Sequence, residues 1–509
     1  MNKIQRQRWT NGKRKITRRL SKPVLEEQEL PMLSASNIHY EMAGRTHGIA
    51  LGGIGSMHLL ARKIGLIDAI DQRLKLLKIH LPYHESDHVL NIAYNLLCGG
   101  ECLEDIELRR NVVVFLDALD AERIPDPTTA GDFCRRFEAT DVLELQETYD
   151  EVRLRVWREQ PAEFFSEAVI DMDGTLVATT GECKEGMDIA YEGTWGYHPL
   201  LLTLANTGEV LCVMNRSGNR PSHEGATEAT DDAIRLCLKG GFRRILLRGD
   251  TDFTQTRQLD RWSDDRRMRF IFGIDAMPVL NRLADDLPEN AWRKLVRRVK
   301  QQRRGAPRRR RKNVKERVVR DREFENIRLK SEEIAEFDYR PSACRKTYRL
   351  VVVRKNLSVE RGERALFDDL RYFFYITNDR VSTAEEIVWE ANDRCNQENV
   401  IDQLKNGARA LLAPVDSLVS NWAYMTMASL SWNLKAWWAL MLPERPGRWA
   451  EQHRSEKRWV LRMEFKKFLA CFMQIPCQIV RTGRRILYRM LAWNPWQPIF
   501  FRAYDVLRC

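Results

Sequence analysis

The sequence predicts an α/β protein, a mixed five-stranded sheet with flanking helices set between helical N- and C-terminal regions. Three observations carry this. Between residues 164 and 280, five short apolar runs of strand length alternate with two helical stretches in the order β-β-β-α-β-α-β. On both sides of that segment, apolar residues recur every three to four positions, the helical period. The chain has 509 residues, 44% hydrophobic and 30% charged, which at roughly 100–200 residues per domain gives two to four globular domains and excludes a wholly disordered chain.

Residues 1–40 read as a basic arm. The stretch 41–155 is helical, with Leu59, Leu60, Ile64, Leu66 and Ile67, then Val89, Leu90, Ala93, Leu96 and Leu97, at helical spacing. Pro125-Asp126-Pro127 breaks the chain, and Thr128-Thr129 offer a hydroxyl cap to a helix carrying Phe133, Arg135, Arg136 and Phe137. The first part of the core, 160–280, opens with a strand leading into Asp173-Gly174-Thr175. Runs at 198–204 and 210–214 flank Asn206-Thr207-Gly208 as a β-hairpin. A helix over 224–239 stops at Gly240-Gly241. A buried strand over 245–247 ends at Arg248-Gly249-Asp250, followed by a helix over 254–262 and a strand over 270–272. Residues 281–380 form a basic, strand-rich insertion with strands over 348–354 and 372–377. The segment 381–415 returns to the core as one long helix over about 382–410, opened by a capping box from Ser382 to Glu385. The remainder, 416–509, is helical and aromatic-rich. Eight of the fourteen tryptophans lie between Trp422 and Trp496, and most are expected in the core.

Charge is unevenly placed. Positions 293–320 hold fifteen Lys/Arg against one acid, Glu316, and the first 22 residues hold nine Lys/Arg and no acid. With a net charge of +12, the other 459 residues carry about −11. Two strongly basic segments on a mildly acidic body suit a phosphate polyanion, because each neutralised phosphate releases counterions. No run approaches the ~20 apolar residues of a membrane span, so no membrane partner is expected. The basic N-terminus lacks the apolar stretch of a secretory signal. Eleven cysteines without a CxxC pair read as reduced thiols of a cytoplasmic protein.

Three acids stand out by placement: Asp173 on the first strand, Asp250 after the fourth, Glu398 in the late helix. In this strand order the first and fourth strands are neighbours, so two carboxylates converge at one edge and a helix packed there can bring the third. Such a cluster needs cations, and hard oxygen ligands with room for water suit Mg²⁺. Two ions roughly 3.5–4 Å apart can activate an attacking hydroxyl and stabilise the leaving oxygen of a phosphoryl displacement. Arg394, Glu398 and Lys405 fall within about 40° on one helix face, so the two cations are candidates to grip phosphates. Asp171 is expected to face away from Asp173 and is not counted as a ligand. His198 is expected to be a strand-end residue satisfied by backbone.

At these residues a resemblance becomes specific. The stretch 392–399, Asn-Asp-Arg-Cys-Asn-Gln-Glu-Asn, followed by Lys405-Asn406-Gly407, resembles the Y-x2-R-x3-E-x6-K signature of DDE transposases of bacterial insertion sequences. It is most similar to the insertion-sequence "thirteen-eighty" family. Asp173-Gly174-Thr175, Gly196-Tyr197-His198-Pro199-Leu200, Arg216-Ser217-Gly218-Asn219 and Arg248-Gly249-Asp250 resemble that family's other blocks, in its order, over residues 40–440. Where the signature has tyrosine, this chain has Ala391, so a contact of that tyrosine would be lost or supplied by a neighbour such as Trp389. The resemblance implies an RNase H-like catalytic core with Asp173, Asp250 and Glu398 as catalytic metal ligands for two Mg²⁺ ions, Mn²⁺ substituting. It implies cleavage at the terminal inverted repeats of an element and joining of the 3′-OH to target DNA, in a homo-oligomeric synaptic complex near the bacterial nucleoid. Arg394, Lys405 and the run Arg308, Arg309, Arg310 and Arg311 are then DNA contacts, with 41–155 as the DNA-binding domain.

Two other classes are compatible with parts of the sequence. The run 169–176, Val-Ile-Asp-Met-Asp-Gly-Thr-Leu, also matches the hhDxDGT motif of haloacid-dehalogenase-like phosphatases, with Asp171 as nucleophile and Asp173 as general acid. That reading leaves Glu398, Lys405 and the basic insertion unexplained. A transposase-derived protein that binds DNA without chemistry is the other.

Overall fold

The computed structural model describes residues 1–21, 46–181, 183–296, 325–361, 364–483 and 485–508, with residues 35, 37–41, 44, 318 and 322. The run Arg308–Arg311 and most of the basic insertion's first half lie outside the described residues.

At the N-terminus, α1 (Lys3–Leu20) is capped by the Asn2 side chain, which accepts from Gln5 N. Then come α2 (Ile54–Lys63), α3 (Leu66–Arg73), α4 (Glu85–Leu97), α5 (Pro127–Cys134) and α6 (Ala139–Arg158). The cap of α5 is the Asp126 carboxylate, accepting from Thr129 N, with Pro127 at the first helical position, so the carboxylate supplies what the sequence assigned to a hydroxyl. Arg135 follows α5 and pairs with Asp132 and Asp416.

The central sheet is wider than expected. It contains β1 (Ala168–Gly174), β2 (Leu200–Leu204), β3 (Glu209–Met214), β4 (Ile245–Gly249), β5 (Met268–Ile274), the short β6 (Arg293–Lys294) and the long β7 (Glu325–Tyr339), β8 (Tyr348–Arg361) and β9 (Arg364–Thr377). Their spatial order is β6-β7-β8-β9-β5-β4-β1-β2-β3, nine strands in all. β1 pairs antiparallel with β2 and parallel with β4, and β4 pairs parallel with β5. The insertion's meander continues this sheet, because β9 pairs with β5 from Phe374↔Ile274 to Thr377↔Ile271. Helices α7 (Ala226–Gly240) and α8 (Thr256–Asp264) are the two crossovers. The first ends at Gly241, whose φ of 104° lies in the left-handed region glycine tolerates.

Both faces of β1, β4 and β5 are covered, which is why they read as unbroken apolar runs. Ile170, Met172, Ile245, Leu247, Phe270 and Phe272 face the main core. Leu246 and Ile271, with Val169 beside them, pack under α9 (Ala384–Asp393) through Ala384, Ile387 and Val388. The long helix expected over 382–410 is broken. α9 ends at Arg394, α10 (Cys395–Asp402) follows, and a π-helical turn spans Gln403–Gly407. The capping box is one residue later than expected, Thr383 with Glu386.

The main core joins the two helical ends of the chain. α11 (Leu418–Leu440) is buried throughout 420–440, and Trp422, Trp432, Trp437 and Trp438 lie in the core as expected. After α12 (Ala450–Leu461), residues expected to be helical form instead a hairpin, β10 (Cys477–Thr482) and β11 (Arg485–Met490), extended by Gly48–Ile49. The alternation over 485–490, in which exposed and half-buried residues follow one another, is a strand period. α13 (Gln497–Leu507) closes the chain against α2. Among the described residues, no helix is long and apolar enough to cross a membrane.

One buried cluster ties these parts together. Glu209, fully buried at the start of β3, accepts from Arg153 Nε at 3.1 Å, Trp157 Nε1 at 3.1 Å, Trp437 Nε1 at 2.8 Å and Thr207 Oγ1 at 2.6 Å. It thereby fastens the sheet to α6 and α11. Removing one partner of a buried pair strands the other charge. Glu209→Ala should therefore lower the stability of the protein by about 3–5 kcal/mol, read as a shift of the urea-unfolding midpoint, and Glu209→Gln by less.

Candidate active site

The site grows from the parallel pair β1/β4. Their register sets Asp171 opposite Arg248. Two residues further along each strand direction stand Asp173, at the end of β1, and Asp250, just past β4. Adjacent strands run about 4.8 Å apart, so the two carboxylates face one gap at the C-terminal ends of parallel strands, where α/β folds place their sites. Asp250 is also held by its own turn, accepting from Asp252 N at 3.1 Å.

Between the two acids lies Arg394. Its Nη1 donates to Asp173 Oδ2 at 3.1 Å, and its Nη2 is 3.8 Å from Asp250 Oδ2. Burial raises the Asp173 carboxyl to about 6; the guanidinium opposes that rise and the neighbouring Asp250 charge adds to it. Burial likewise raises Asp250, again against Arg394. Arg394 reaches this position because the chain breaks there, between α9 and α10.

The third acid is placed differently. Gln397, fully buried, donates from Nε2 to Asp171 O at 3.1 Å and Leu201 O at 3.2 Å and so pins α10 to β1 and β2. Glu398, one position on, is turned about 100° around the helix and is exposed. Its charge acts on Arg394, yet it makes no hydrogen bond or ion pair among the described residues. Among those residues no three acid, histidine or cysteine side chains gather that could hold a metal ion. The structure thus brings Asp173 and Asp250 together and leaves Glu398 at the solvent margin of the same helix. Two half-buried carboxylates suit a hard divalent cation, which can bind through one or two carboxylates and keep several waters. Arg394 supplies the compensating charge.

Lys405 approaches from the π-helical turn, its Nζ donating to Leu176 O at 2.6 Å, just beyond β1. Burial lowers its pKa and the charge of Asp173 opposes this. His198 is satisfied by backbone as expected, its Nδ1 3.1 Å from Arg220 O, and burial lowers its pKa. A Cβ on Gly174 would come within 2.7 Å of His198 Nε2, so a larger residue beside Asp173 would have to displace the imidazole. Ala391, at the signature's tyrosine position, packs against the cluster under α9.

Asp171 does not face away from Asp173. Alternate residues of a strand share a face, and both acids look toward the α9–α10 side. What separates them is pairing. Asp171 is buried in a two-point ion pair with Arg248 at 2.6 and 2.7 Å, and Arg248 also donates to Glu390 O at 2.8 Å. A carboxylate so occupied is no nucleophile, which removes the phosphatase reading. Arg248 and Gln397 were missed as site residues. The register of β1 and β4 would have exposed the first; nothing local marks the second.

Two acids at adjacent parallel strand ends, with Arg394 and Lys405 beside them, define this site. The family model for "Transposase DDE domain group 1" matches residues 30–509, and the chain belongs to that family of DNA transposases. Among solved structures, it is similar to piggyBac transposase in a synaptic complex with hairpin DNA, at 10% identity over 82% of this chain and 81% of that one. The TM-score of 0.35 makes that likeness too loose to carry an inference. No curated protein matches.

Arg394 should control the metal-free stability of this site. An acid that ionises near 4 when unfolded and near 6 when folded binds more protons in the folded state, so its contribution falls as pH rises between those values. Arg394→Ala removes the opposing cation and enlarges that loss. In EDTA, its melting temperature should drop below wild type by more at pH 8 than at pH 5, by about 1–2 kcal/mol on conversion.

Proposed function

We propose that this transposase cuts the DNA strand at the terminal inverted repeats of a bacterial insertion sequence of the "thirteen-eighty" type and joins the freed 3′-OH to target DNA. The observation that carries this is the pair Asp173 and Asp250 at adjacent parallel strand ends, faced by Arg394 and Lys405. The order β3-β2-β1-β4-β5, antiparallel on one side and parallel on the other, supports an RNase H-like core. Asp173 and Asp250 would hold Mg²⁺ or Mn²⁺, with Glu398 contributing from the helix margin, and the bound ions would supply Lewis-acid charge at the scissile phosphate. Arg394 and Lys405 orient the phosphates through charge-assisted hydrogen bonds, so Arg394 exchanges carboxylates for phosphate when DNA enters. The nucleophiles are water and a DNA hydroxyl, and no covalent protein–DNA intermediate forms. Residues 1–155 and the basic insertion, including Arg308–Arg311, contribute to end binding. Two ends must be held at once, which calls for a homo-oligomeric synaptic complex working at the nucleoid in the cytoplasm.

The exposed position of Glu398 favours a second reading, a transposase-derived protein that binds ends without cutting. One assay separates them. A labelled terminal-repeat duplex is incubated with the protein and Mg²⁺, and products are resolved by strand. Metal-dependent cutting is expected, abolished by EDTA. Asp173→Asn, Asp250→Asn and Glu398→Gln should each reduce it by about a hundredfold or more, the loss of several kcal/mol of charge stabilisation, with end binding retained. No cutting by the wild type rejects the catalytic reading, and undiminished cutting by Glu398→Gln rejects the role given to Glu398.

A further inference from the structure

Where the two ends of the chain meet, α2, the β10–β11 hairpin and α13, with Gln5 of α1, enclose a cavity of about 740 Å³, within the roughly 300–1,000 Å³ of small-molecule sites. None of its lining comes from the nine-stranded sheet, so it is separate from the Asp173–Asp250 gap. Tyr488, Phe501 and Tyr504 form aromatic wall, and Arg62, Arg485 and Arg508 stand exposed around it.

Three of the cavity's four arginines are free of ion pairs among the described residues. Arg481 is engaged by Asp117 at 2.9 Å and by Asp120, which is the cavity's acid. Arg62, Arg485 and Arg508 make no ion pair among the described residues. Arg508 instead lies 5.7 Å from the centre of the Tyr504 ring. Beside the cavity, α1 is fixed by Trp9, whose Nε1 donates to Asn494 O at 3.2 Å and whose ring lies 6.3 Å from Trp493. Its Lys and Arg side chains, from Lys3 to Arg19, make no ion pair among the described residues either.

Free guanidinium groups beside accessible rings match a ligand with both a π-face and negative charge. Simple anions would have no use for the rings, and apolar ligands none for the arginines. We propose that this cavity is a nucleotide site that receives an unpaired nucleotide of a DNA strand. The base stacks on the tyrosine wall, its phosphates meet Arg62, Arg485 and Arg508, and α1 continues the phosphate track. The commitment to DNA follows from the family of the chain and from the cationic helix that prolongs the cavity. A free nucleotide has the same chemistry, and the experiment separates the two sources.

The full-length protein in EDTA is crosslinked by light to a single-stranded oligothymidylate carrying 4-thiothymidine, and the adduct is mapped by mass spectrometry. Affinity is read in parallel by fluorescence anisotropy. Adducts within 485–508 are expected. Tyr504→Ala should weaken binding about tenfold through lost stacking. Arg62→Gln/Arg485→Gln/Arg508→Gln should flatten the salt dependence by about two in log–log slope. These side chains are exposed or half-exposed, and an unchanged melting temperature verifies the fold. Thymidine monophosphate, tested alone by calorimetry, assigns the site to free nucleotide if it binds as tightly as the oligomer. Adducts only outside this cavity, or unchanged affinity and salt slope in both variants, overturn the proposal. Cleavage and metal are absent from every readout, so the outcome is independent of the catalytic reading.

Discussion

The parallel register of β1 on β4 is the constraint on which the rest of the site depends. It sets Asp171 beside Arg248 and, two residues on, Asp173 beside Asp250. The first pair is neutralised inside the protein by two short hydrogen bonds. The second meets solvent and is neutralised from outside the sheet by Arg394. One strand pairing therefore makes both a structural ion pair and an open acidic gap, and a one-residue slip would destroy both.

The helix over this edge acts through its irregularities. A continuous helix would have kept one phase over 382–410. The break at Arg394 and the π-helical turn at Gln403–Gly407 let Arg394 and Lys405 reach the sheet edge, while Gln397 anchors the segment and Glu398 stays on the rim. Local irregularities of this kind are frequent at functional sites. Here they hold a guanidinium against two raised-pKa carboxylates, so the acidic gap is compensated from within the protein.

Away from the edge, the fold closes on itself. The insertion extends the sheet through β9 on β5, and the two chain ends build a common helical body around α11. Burying Glu209 among Arg153, Trp157 and Trp437 fastens that body to the sheet. The same union of chain ends produces the arginine-rimmed cavity, which neither terminus could form alone.

Much of the fold was legible because its signals are local. Strand-length apolar runs, the Asn206-Thr207-Gly208 turn and the glycine stop at 240–241 each act within a few residues, and all appear as strands, hairpin and helix end. The 477–490 hairpin was missed because it alternates over short runs beside helical neighbours. The candidate acids were visible from their places at strand ends. What they do to one another was not. Whether Asp171 is free or locked, whether Arg394 holds carboxylates or phosphate, and whether Glu398 points inward depend on strand register and helix phase. These are set by pairings between residues 77 to 226 positions apart, and no local pattern of side chains encodes them.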